Sequence, residues 1–234
     1  MVRTFDPDRP VPHDIVARVL DAATRAPSAG FSQGWDFVVL SEPGDRATFW
    51  EAATPVDSGV TPDRWFLGVS AAPCLVVCCS DPGRYQRRYA EPDKADARTV
   101  PTDSGAGHRS DDRRWPIPYW DVDTGMAALL MLLTGVDEGV GGLFFGVPGP
   151  AMNDVRVALN IPTDRRLVGV VALGYRLPDV RSPSLKRGRR PVAEVAHSGR
   201  FGAPFRAPMD INTRPSATQP SNTAIGIPDA APSK

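Results

Sequence analysis

The order of apolar segments along the chain is the feature that most constrains its fold. Four short apolar runs have the length of buried strands, and longer stretches with helical periodicity separate most of them. The predicted strands are 36–40, 73–79, 142–147 and 167–173. The first is predicted to end at the turn SEPG, 41–44, and the second at the turn DPG, 81–83. Strands that alternate with helices form a sheet that the helices cover, so the sequence predicts a fold that mixes α and β structure.

Three helices are predicted, one before the first strand over 12–26 and two between later strands over 124–138 and 151–159. The first opens at Pro12, whose missing N–H is not needed in a first turn, and ends before Pro27. The second is apolar almost all round, which predicts a central, buried helix. Asp123 is its predicted N-cap and Gly139 its predicted C-terminal stop.

The chain holds 25 prolines and 21 glycines in 234 residues, well above ordinary usage. Two regions collect many of them. Residues 81–118 are rich in Arg, Asp, Gly and Pro and are predicted to be a long insertion loop, while 203–234 have no periodicity and are predicted to be a disordered tail. The predicted folded domain is therefore 1–202.

Charge and cysteine usage exclude several classes of function. The 27 basic and 27 acidic side chains cancel, which argues against a nucleic-acid partner. No apolar run is long enough to span a membrane, and the charged opening is unlike a signal peptide. Cys74, Cys78 and Cys79 form no metal-binding pattern with the histidines; we expect buried thiols, a cytoplasmic protein and no metal.

Common catalytic motifs are absent from the sequence: there is no GxSxG and no GxxxxGK[ST]. Two segments remain as candidates for a site. Residues 26–35, APSAGFSQGW, connect a helix to a strand with small residues that let a flat ligand approach the backbone, and the alternative is a simple turn. Residues 186–191, KRGRRP, carry four cations suited to a phosphate, and the alternative is a solvated basic turn.

These segments, taken in order, resemble the FMN-dependent nitroreductase family. The opening VRTFDPDRPVP at 2–12 is similar to the family's arginine-rich start, and APSAGFSQGW looks like its flavin-cradling loop. The family's later motifs are matched by GVGGLFFG at 139–146, LNIP at 159–162, VGVVALGY at 168–175 and RGRRPVAEVAH at 187–197. The resemblance covers about residues 2–200.

The resemblance implies an α+β fold, a three-layer sandwich with a central mixed sheet flanked by helices. It also implies an intertwined homodimer with FMN bound at the subunit interface. By position, the implied phosphate ligands are Arg3, Arg187 and Arg189. The implied contacts of the ribityl chain and ring are Pro27, Ser28, Ala29, Phe31 and Gln33, with Phe144 and Gly146 against the isoalloxazine.

The implied activity is ping-pong electron transfer from NADH or NADPH, through FMN, to a small acceptor such as a nitroaromatic or a quinone. The flavin carries the chemistry, so no catalytic side chain is expected. Tyr119, Trp120 and the 81–118 insertion are predicted to cover the open flavin face and to select the substrate.

Three departures from the family pattern leave alternatives open. The chain begins at Met1, where the family has a Ser, so phosphate ligands are missing or the natural start lies upstream. Phe31 replaces a frequent Asn, which resembles a branch that fragments reduced flavin with oxygen to form dimethylbenzimidazole, and Gly34 replaces a common Pro. A flavin-binding or storage protein without turnover is the other alternative.

Overall fold

The computed structural model describes residues 1–54, 63–95, 115–180 and 182–205. The chain divides into two units, Met1–Val180 and Arg181–Lys234. The predicted tail falls almost entirely on 206–234, outside the described residues, so the domain boundary at 202 stays a prediction.

The first unit holds four strands and seven helices among its described residues. The strands are β1 (Trp35–Leu40), β2 (Cys74–Ser80), β3 (Gly141–Phe145) and β4 (Arg166–Gly174). The helices are α1 (His13–Thr24), α2 (Pro43–Ala53), α3 (Arg64–Ser70), α4 (Pro82–Arg88), α5 (Pro92–Ala95), α6 (Tyr119–Asp137) and α7 (Met152–Ala158). All four predicted strands are confirmed to within about two residues at each end, as is helix α1.

The strands form one sheet in the order β1-β2-β4-β3. Val38 pairs with Val77, and Val77 pairs in turn with Val170, so β2 and β4 are the central strands. Every adjacent pair of strands is antiparallel: β1 with β2, β2 with β4, and β4 with β3. The resemblance implied a mixed sheet, and the sheet of the described residues differs from that expectation.

Helices cover both faces of this sheet, as the three-layer expectation requires. Side chains alternate along a strand, and Leu75 and Val77 of β2 face a core shared with α2, α3 and α7, while Val76 and Cys78 face a core shared with α1 and α6. The three cysteines are free and buried, as predicted. Burial raises the pKa of the Cys79 thiol to about 11, so this thiol stays protonated and unreactive.

Helix α6 departs from its prediction in two ways. It begins at Tyr119 rather than at residue 124, so Asp123 lies inside the helix and is not its N-cap. The helix is also not buried on all sides. An apolar stripe along its outer side is exposed by 37% to 69% in this chain, and consists of Val122, Met126, Leu129, Leu133 and Val136. Gly139 ends the helix as predicted, with a φ of 74° that glycine adopts without strain.

The sequence interpretation missed helices α2 and α3 and misassigned the first part of the 81–118 insertion. Pro43 and Pro82 were read as residues that end a strand, yet each stands in the first turn of a helix, where proline loses no hydrogen bond. Asp81 caps α4 by accepting a hydrogen bond from the Arg84 N–H. Residues 82–95 are therefore largely helical, and the central part of the insertion, 96–114, lies outside the described residues.

The second unit contains, in its described part, a 3-10 turn over Pro183–Arg187 and one short helix, α8 (Val192–Val195). A β-bridge joins His197 to Pro204. Across the described residues of the chain, no helix is both long and apolar enough to cross a membrane.

Candidate functional site

Residues 27–34, here called the 27–34 loop, connect α1 to β1 and have an unusual backbone. Gly30, Phe31 and Gln33 have φ values of 63°, 57° and 49°. A non-glycine residue held in this left-handed region costs on the order of 1–3 kcal/mol, so the surrounding contacts must hold Phe31 and Gln33 there. Such strain is concentrated at binding and catalytic sites, which makes this loop a candidate site.

The loop uses its own polar groups to fix part of this shape. The Phe31 N–H donates to the Ser28 carbonyl at 2.9 Å, and the Gln33 N–H donates to Ser28 Oγ at 3.0 Å. The Ser32 hydroxyl donates to the Ala29 carbonyl at 2.7 Å. The predicted site residue Ser28 therefore braces the loop from within.

Two side chains of the loop are left to meet a ligand. The Phe31 side chain is 76% exposed, although its backbone is strained. The Gln33 amide makes no hydrogen bond with any residue that the structure describes, and Pro27 is exposed beside them. An aromatic face and a free amide on a strained, small-residue loop can bind a flat polar ring.

A buried carboxylate holds the loop from beneath. Asp123 of α6 is 2% exposed and accepts the Ala29 N–H at 2.8 Å and the Tyr85 hydroxyl at 2.7 Å. Burial, and then the hydrogen bond to Asp123, raise the pKa of Tyr85 far above its ordinary range, so its hydroxyl remains a donor. Asp123 was predicted to be a helix cap, and Tyr85 was not among the predicted site residues.

Ionic contacts fix the start of helix α4 beside the loop. The Asp81 carboxylate is 1% exposed and lies 3.3 Å from Arg87 Nη2 and 3.2 Å from Arg165 Nη2. Next to it, the Ser80 hydroxyl donates to Asp121 Oδ1 at 2.6 Å, and Arg166 pairs with the same carboxylate at 3.0 Å. These bonds tie the end of β2 to the first turn of α6.

The two predicted substrate residues, Tyr119 and Trp120, lie in the first turn of α6 within an aromatic cluster. Trp115 is its centre, with ring centroids 4.9 Å from Tyr89, 5.7 Å from Trp120 and 6.3 Å from Tyr119. Tyr85 packs edge-on against Trp115 and Trp120 at about 6 Å. Trp120 Nε1 is buried without a hydrogen-bond partner among the described residues. Through Tyr85, the structure joins this cluster to the 27–34 loop.

The predicted contacts on strand β3 are placed differently from each other. The Phe144 ring is half-buried over Gly169 of β4, where any side chain on that glycine would overlap it. Gly146 follows the strand at the surface, and a Cβ built on it would meet no atom within 4 Å. Gly146 thus offers exposed backbone, while Phe144 is part of the core shared with α1 and α6.

The three predicted phosphate ligands are divided between the two units. Arg3, in the first unit, donates to Asp179 at 2.8 Å and to the Val180 carbonyl at 2.6 Å. Arg187 and Arg189, in the second unit, are exposed and form no ion pair or hydrogen bond through their side chains with any described residue. Each unit is described by itself, so the joint phosphate site remains a prediction.

Comparison with known proteins adds evidence from both sequence and fold. Residues 1–56 match the model of the Nitroreductase family. A protein of Archaeoglobus fulgidus named "Putative NADH dehydrogenase/NAD(P)H nitroreductase" is 26% identical over 170 residues, which cover 72% of this chain and 76% of that protein.

Solved structures are similar in fold. A nitroreductase family protein from Clostridium difficile 630 superposes with a TM-score of 0.58 at 17% identity, covering 86% of this chain and 93% of that one. A Nitroreductase Family Protein from Streptococcus pneumoniae TIGR4 gives a TM-score of 0.58 at 21% identity, covering 84% and 94%. An FMN-dependent Nitroreductase from Clostridium difficile R20291 gives 0.56 at 15% identity, covering 86% and 94%. The chain is thus similar to the Nitroreductase family over residues 1–56 and shares its fold with solved structures of that family.

One departure from the family pattern now has a physical reason. Gly34 stands where the family commonly has proline, and the Tyr85 ring occupies the space that a side chain there would need. The Asp81 carbonyl oxygen would also lie 3.0 Å from a Cβ at this position. The glycine is therefore matched to the tyrosine of α4, a pairing that the sequence pattern did not reveal.

Proposed function

We propose that this chain is an FMN-dependent oxidoreductase that passes electrons from NADH or NADPH to a small acceptor such as a nitroaromatic or a quinone, in a ping-pong sequence. The observation that carries the proposal is the 27–34 loop. It lies within residues 1–56 that match the family model, and it holds two non-glycine residues in left-handed conformations. It presents an exposed Phe31 side chain and a Gln33 amide that bonds to none of the described residues.

The residues present fit a flavin mononucleotide. Pro27, Ala29, Phe31 and Gln33 would contact the ring and ribityl chain, with Ser28 holding the backbone of the loop in shape. Gly146 has open space above its backbone for the isoalloxazine edge, and Phe144 would support that side of the ring. The exposed guanidinium groups of Arg187 and Arg189 would bind the phosphate, together with Arg3.

Bound FMN would accept a hydride from the reduced nicotinamide and donate it to the acceptor. The residues of the chain would orient the ring, exclude water and position the substrate, with no side chain acting as an acid or base. Tyr119 and Trp120, in the first turn of α6, would contact the substrate. Both rings pack against Trp115, which would hold them in position.

We also propose that the protein is a homodimer that uses the outer stripe of α6. The five stripe residues are spaced four, three, four and three apart, which places them along one side of the helix. Contiguous exposed apolar surface of this kind is typical of an interface. A second copy of the chain would cover it, in agreement with the subunit arrangement that the resemblance implies. The buried, reduced cysteines are compatible with a cytoplasmic location.

An anaerobic titration tests the proposed function. The protein is reconstituted with FMN, and NADH or NADPH is added while the visible flavin absorbance is followed. We expect bleaching, followed by recovery when a nitroaromatic or quinone is added. Persistent colour with both donors would instead favour flavin storage without turnover. Release of dimethylbenzimidazole after exposure of the reduced protein to oxygen would favour flavin fragmentation. Failure to bind FMN would contradict all three functions.

A further inference from the structure

One face of helix α4 fits the 27–34 loop closely. Arg84, Tyr85, Arg88 and Tyr89, called here the α4 face, are spaced so that they lie on one side of the helix and its last turn. Arg88 Nε donates to the Gly30 carbonyl at 2.9 Å, and Arg84 Nη1 lies 3.5 Å from the Gln33 carbonyl. Both arginines therefore contact backbone carbonyl groups of residues with left-handed conformations, Gly30 and Gln33.

The two tyrosines of this face meet the two glycines of the loop. A Cβ on Gly34 would overlap Tyr85 Cε2, and a Cβ on Gly30 would lie 2.7 Å from Tyr89 Cε2. Tyr85 is fully buried, so its ring cannot move aside into solvent. The glycines let the backbone of the loop approach the helix more closely than any other residue would allow.

Asp123 completes this contact from helix α6. Its carboxylate is buried and has no ion-pair partner among the described residues, so hydrogen-bond donors must compensate its burial. Its Oδ2 atom accepts both the Ala29 N–H and the Tyr85 hydroxyl. The bond from the Ala29 N–H fixes the residue before Gly30, where the left-handed conformations begin. The bond from the Tyr85 hydroxyl fixes the tyrosine that lies against Gly34. A single carboxylate thus holds both ends of the segment 29–34.

We propose that Asp123 and Tyr85 are positioning residues for the flavin. They set the backbone of the 27–34 loop so that Phe31 and Gln33 are already in place before FMN binds. The inference rests on the proposed function, because it assigns the loop to FMN. Loss of either bond lets the strained residues relax, and FMN binding must then restore their order, which lowers affinity without removing any group that contacts the flavin.

The same helix provides a matched control. Asp121 lies two residues before Asp123 and also accepts a buried hydroxyl, that of Ser80, at 2.6 Å, but its bonds go to strand β2 and to Arg166 rather than to the loop. Because both bonds to Asp123 end on Oδ2, an asparagine oxygen could still accept them, and alanine is the substitution that removes them. Asp121→Ala and Asp123→Ala make the same chemical change at neighbouring carboxylates with different targets. A general loss of structure affects both variants, whereas a loss of loop position affects only Asp123→Ala.

The test combines hydrogen exchange on the apoprotein with FMN titration. In Asp123→Ala we expect faster exchange at the amides of 29–34, an FMN Kd raised about tenfold and an altered visible spectrum of bound FMN. In Asp121→Ala we expect wild-type exchange at 29–34 and a Kd within about twofold of wild type. Tyr85→Phe, which removes one hydroxyl, is expected to raise Kd about threefold, and it serves as the test variant if Asp123→Ala does not fold.

The effects of Tyr85→Phe and Asp123→Ala should not add, because both act through one hydrogen-bond network. Unchanged exchange at 29–34 in Asp123→Ala, or equal effects of Asp121→Ala and Asp123→Ala on FMN affinity, would overturn the positioning role even where the wild-type protein binds FMN. Failure of the wild-type protein to bind FMN would instead overturn the proposed function and the flavin part of this inference, while the exchange measurement would still decide what holds the loop.

Discussion

The 27–34 loop and the arginine segment 186–190 were both predicted to contact one cofactor, yet they are built in opposite ways. The loop is held by hydrogen bonds from within, by the α4 face and by Asp123. In the arginine segment, Arg190 bonds to Glu194 of α8, while Arg187 and Arg189 extend into solvent without a partner among the described residues. Gly188 between them has a φ of 69°.

This contrast indicates two different ways of contributing to affinity. A pre-ordered loop loses little conformational freedom on binding, so lost entropy offsets little of the binding free energy that its contacts provide. Flexible arginines must give up rotamer freedom, about 0.5–1.5 kcal/mol for each immobilised side chain, and gain strong charge-assisted bonds in return. Substitutions in the loop should therefore change stability and binding together, whereas substitutions of the arginines should change binding alone.

The largest expected effect is on FMN affinity in the double variant Arg187→Ala, Arg189→Ala. Removing both guanidinium groups should weaken binding by about 3 kcal/mol, which is about 100-fold in Kd. The loss should shrink at high salt, since the contacts are ionic. Fluorescence titration with FMN at two ionic strengths measures this, and thermal unfolding of the apoprotein should be unchanged.

The control for this variant is Arg200→Ala, an exposed arginine in the same unit. It changes the charge of the unit without removing a predicted ligand, so its FMN Kd should remain at the wild-type value. Equal weakening by Arg200→Ala would mean that the positive charge acts only at long range. Unchanged affinity in the double variant would contradict the phosphate assignment of Arg187 and Arg189.

The second effect is on stability, in Gly34→Ala. The new methyl group would overlap the buried Tyr85 ring, and overpacking of this kind costs about 1–3 kcal/mol. Gly146→Ala is the matched substitution, because its Cβ would stand in open space and its free energy of unfolding should change by less than about 0.5 kcal/mol. Urea unfolding of both apoproteins measures the difference. A neutral Gly34→Ala would show that Tyr85 does not pack against the loop.

The sequence predicted the position of the loop but not what holds it. Periodicity and proline placed α1 and β1 correctly, so the connection between them was located by its ends. The side chains that hold the loop belong to α4 and α6, which are far from it in sequence. No local sequence pattern predicts contacts between such distant segments. Asp123 at the start of a largely apolar helix was the available signal, because a carboxylate on a buried face needs hydrogen-bond partners. Assigning Asp123 to the helix cap gave it a partner in its own helix, so no partner was sought elsewhere.

Proline was the other source of error. In both Glu-Pro-Gly at 42–44 and Asp-Pro-Gly at 81–83, the sequence was read as a turn that closes a strand. Each turn also begins a helix, because proline favours the first helical position and a preceding acidic residue favours the N-terminal end. The α4 face that holds the loop was therefore assigned to an irregular insertion. Its fit to the 27–34 loop became visible only when the structure placed its side chains.

The two sides of helix α6 differ in the same way: its inner side holds the loop through Asp123, while no residue that the structure describes covers its outer stripe. Leu133→Lys places a charge in that stripe at a position 56% exposed. Light scattering after size exclusion should show weakened dimerisation, because the charge would be buried against a second copy. Glu51→Lys, at another exposed position, is the control and should leave the measured mass of the dimer unchanged. A monomeric wild-type protein would contradict the proposed interface.

The smallest expected effect tests the support of α1, the helix that leads into the loop. Arg18 binds both oxygens of Glu138 at 2.7 and 2.9 Å and joins α1 to the end of α6. These hydrogen bonds hold the pKa of Glu138 below its ordinary value of 4.5. The bond to Arg18 likewise lowers the pKa of Asp14. Both carboxylates therefore stabilise the fold above about pH 4.5, and this contribution is lost as the pH falls through their lowered folded-state values.

Arg18→Ala should accordingly be less stable than wild type at pH 7, and the two proteins should converge as the pH falls well below 4.5. Thermal unfolding measured from pH 7 to pH 3 gives the comparison. Arg25→Ala removes an ion pair of the same helix in which both side chains are largely exposed, at 73% and 64%, so it should change stability less at pH 7. If the gap between wild type and Arg18→Ala stayed constant down to pH 3, the contribution of Arg18 would come from packing of its side chain and not from its carboxylate partners.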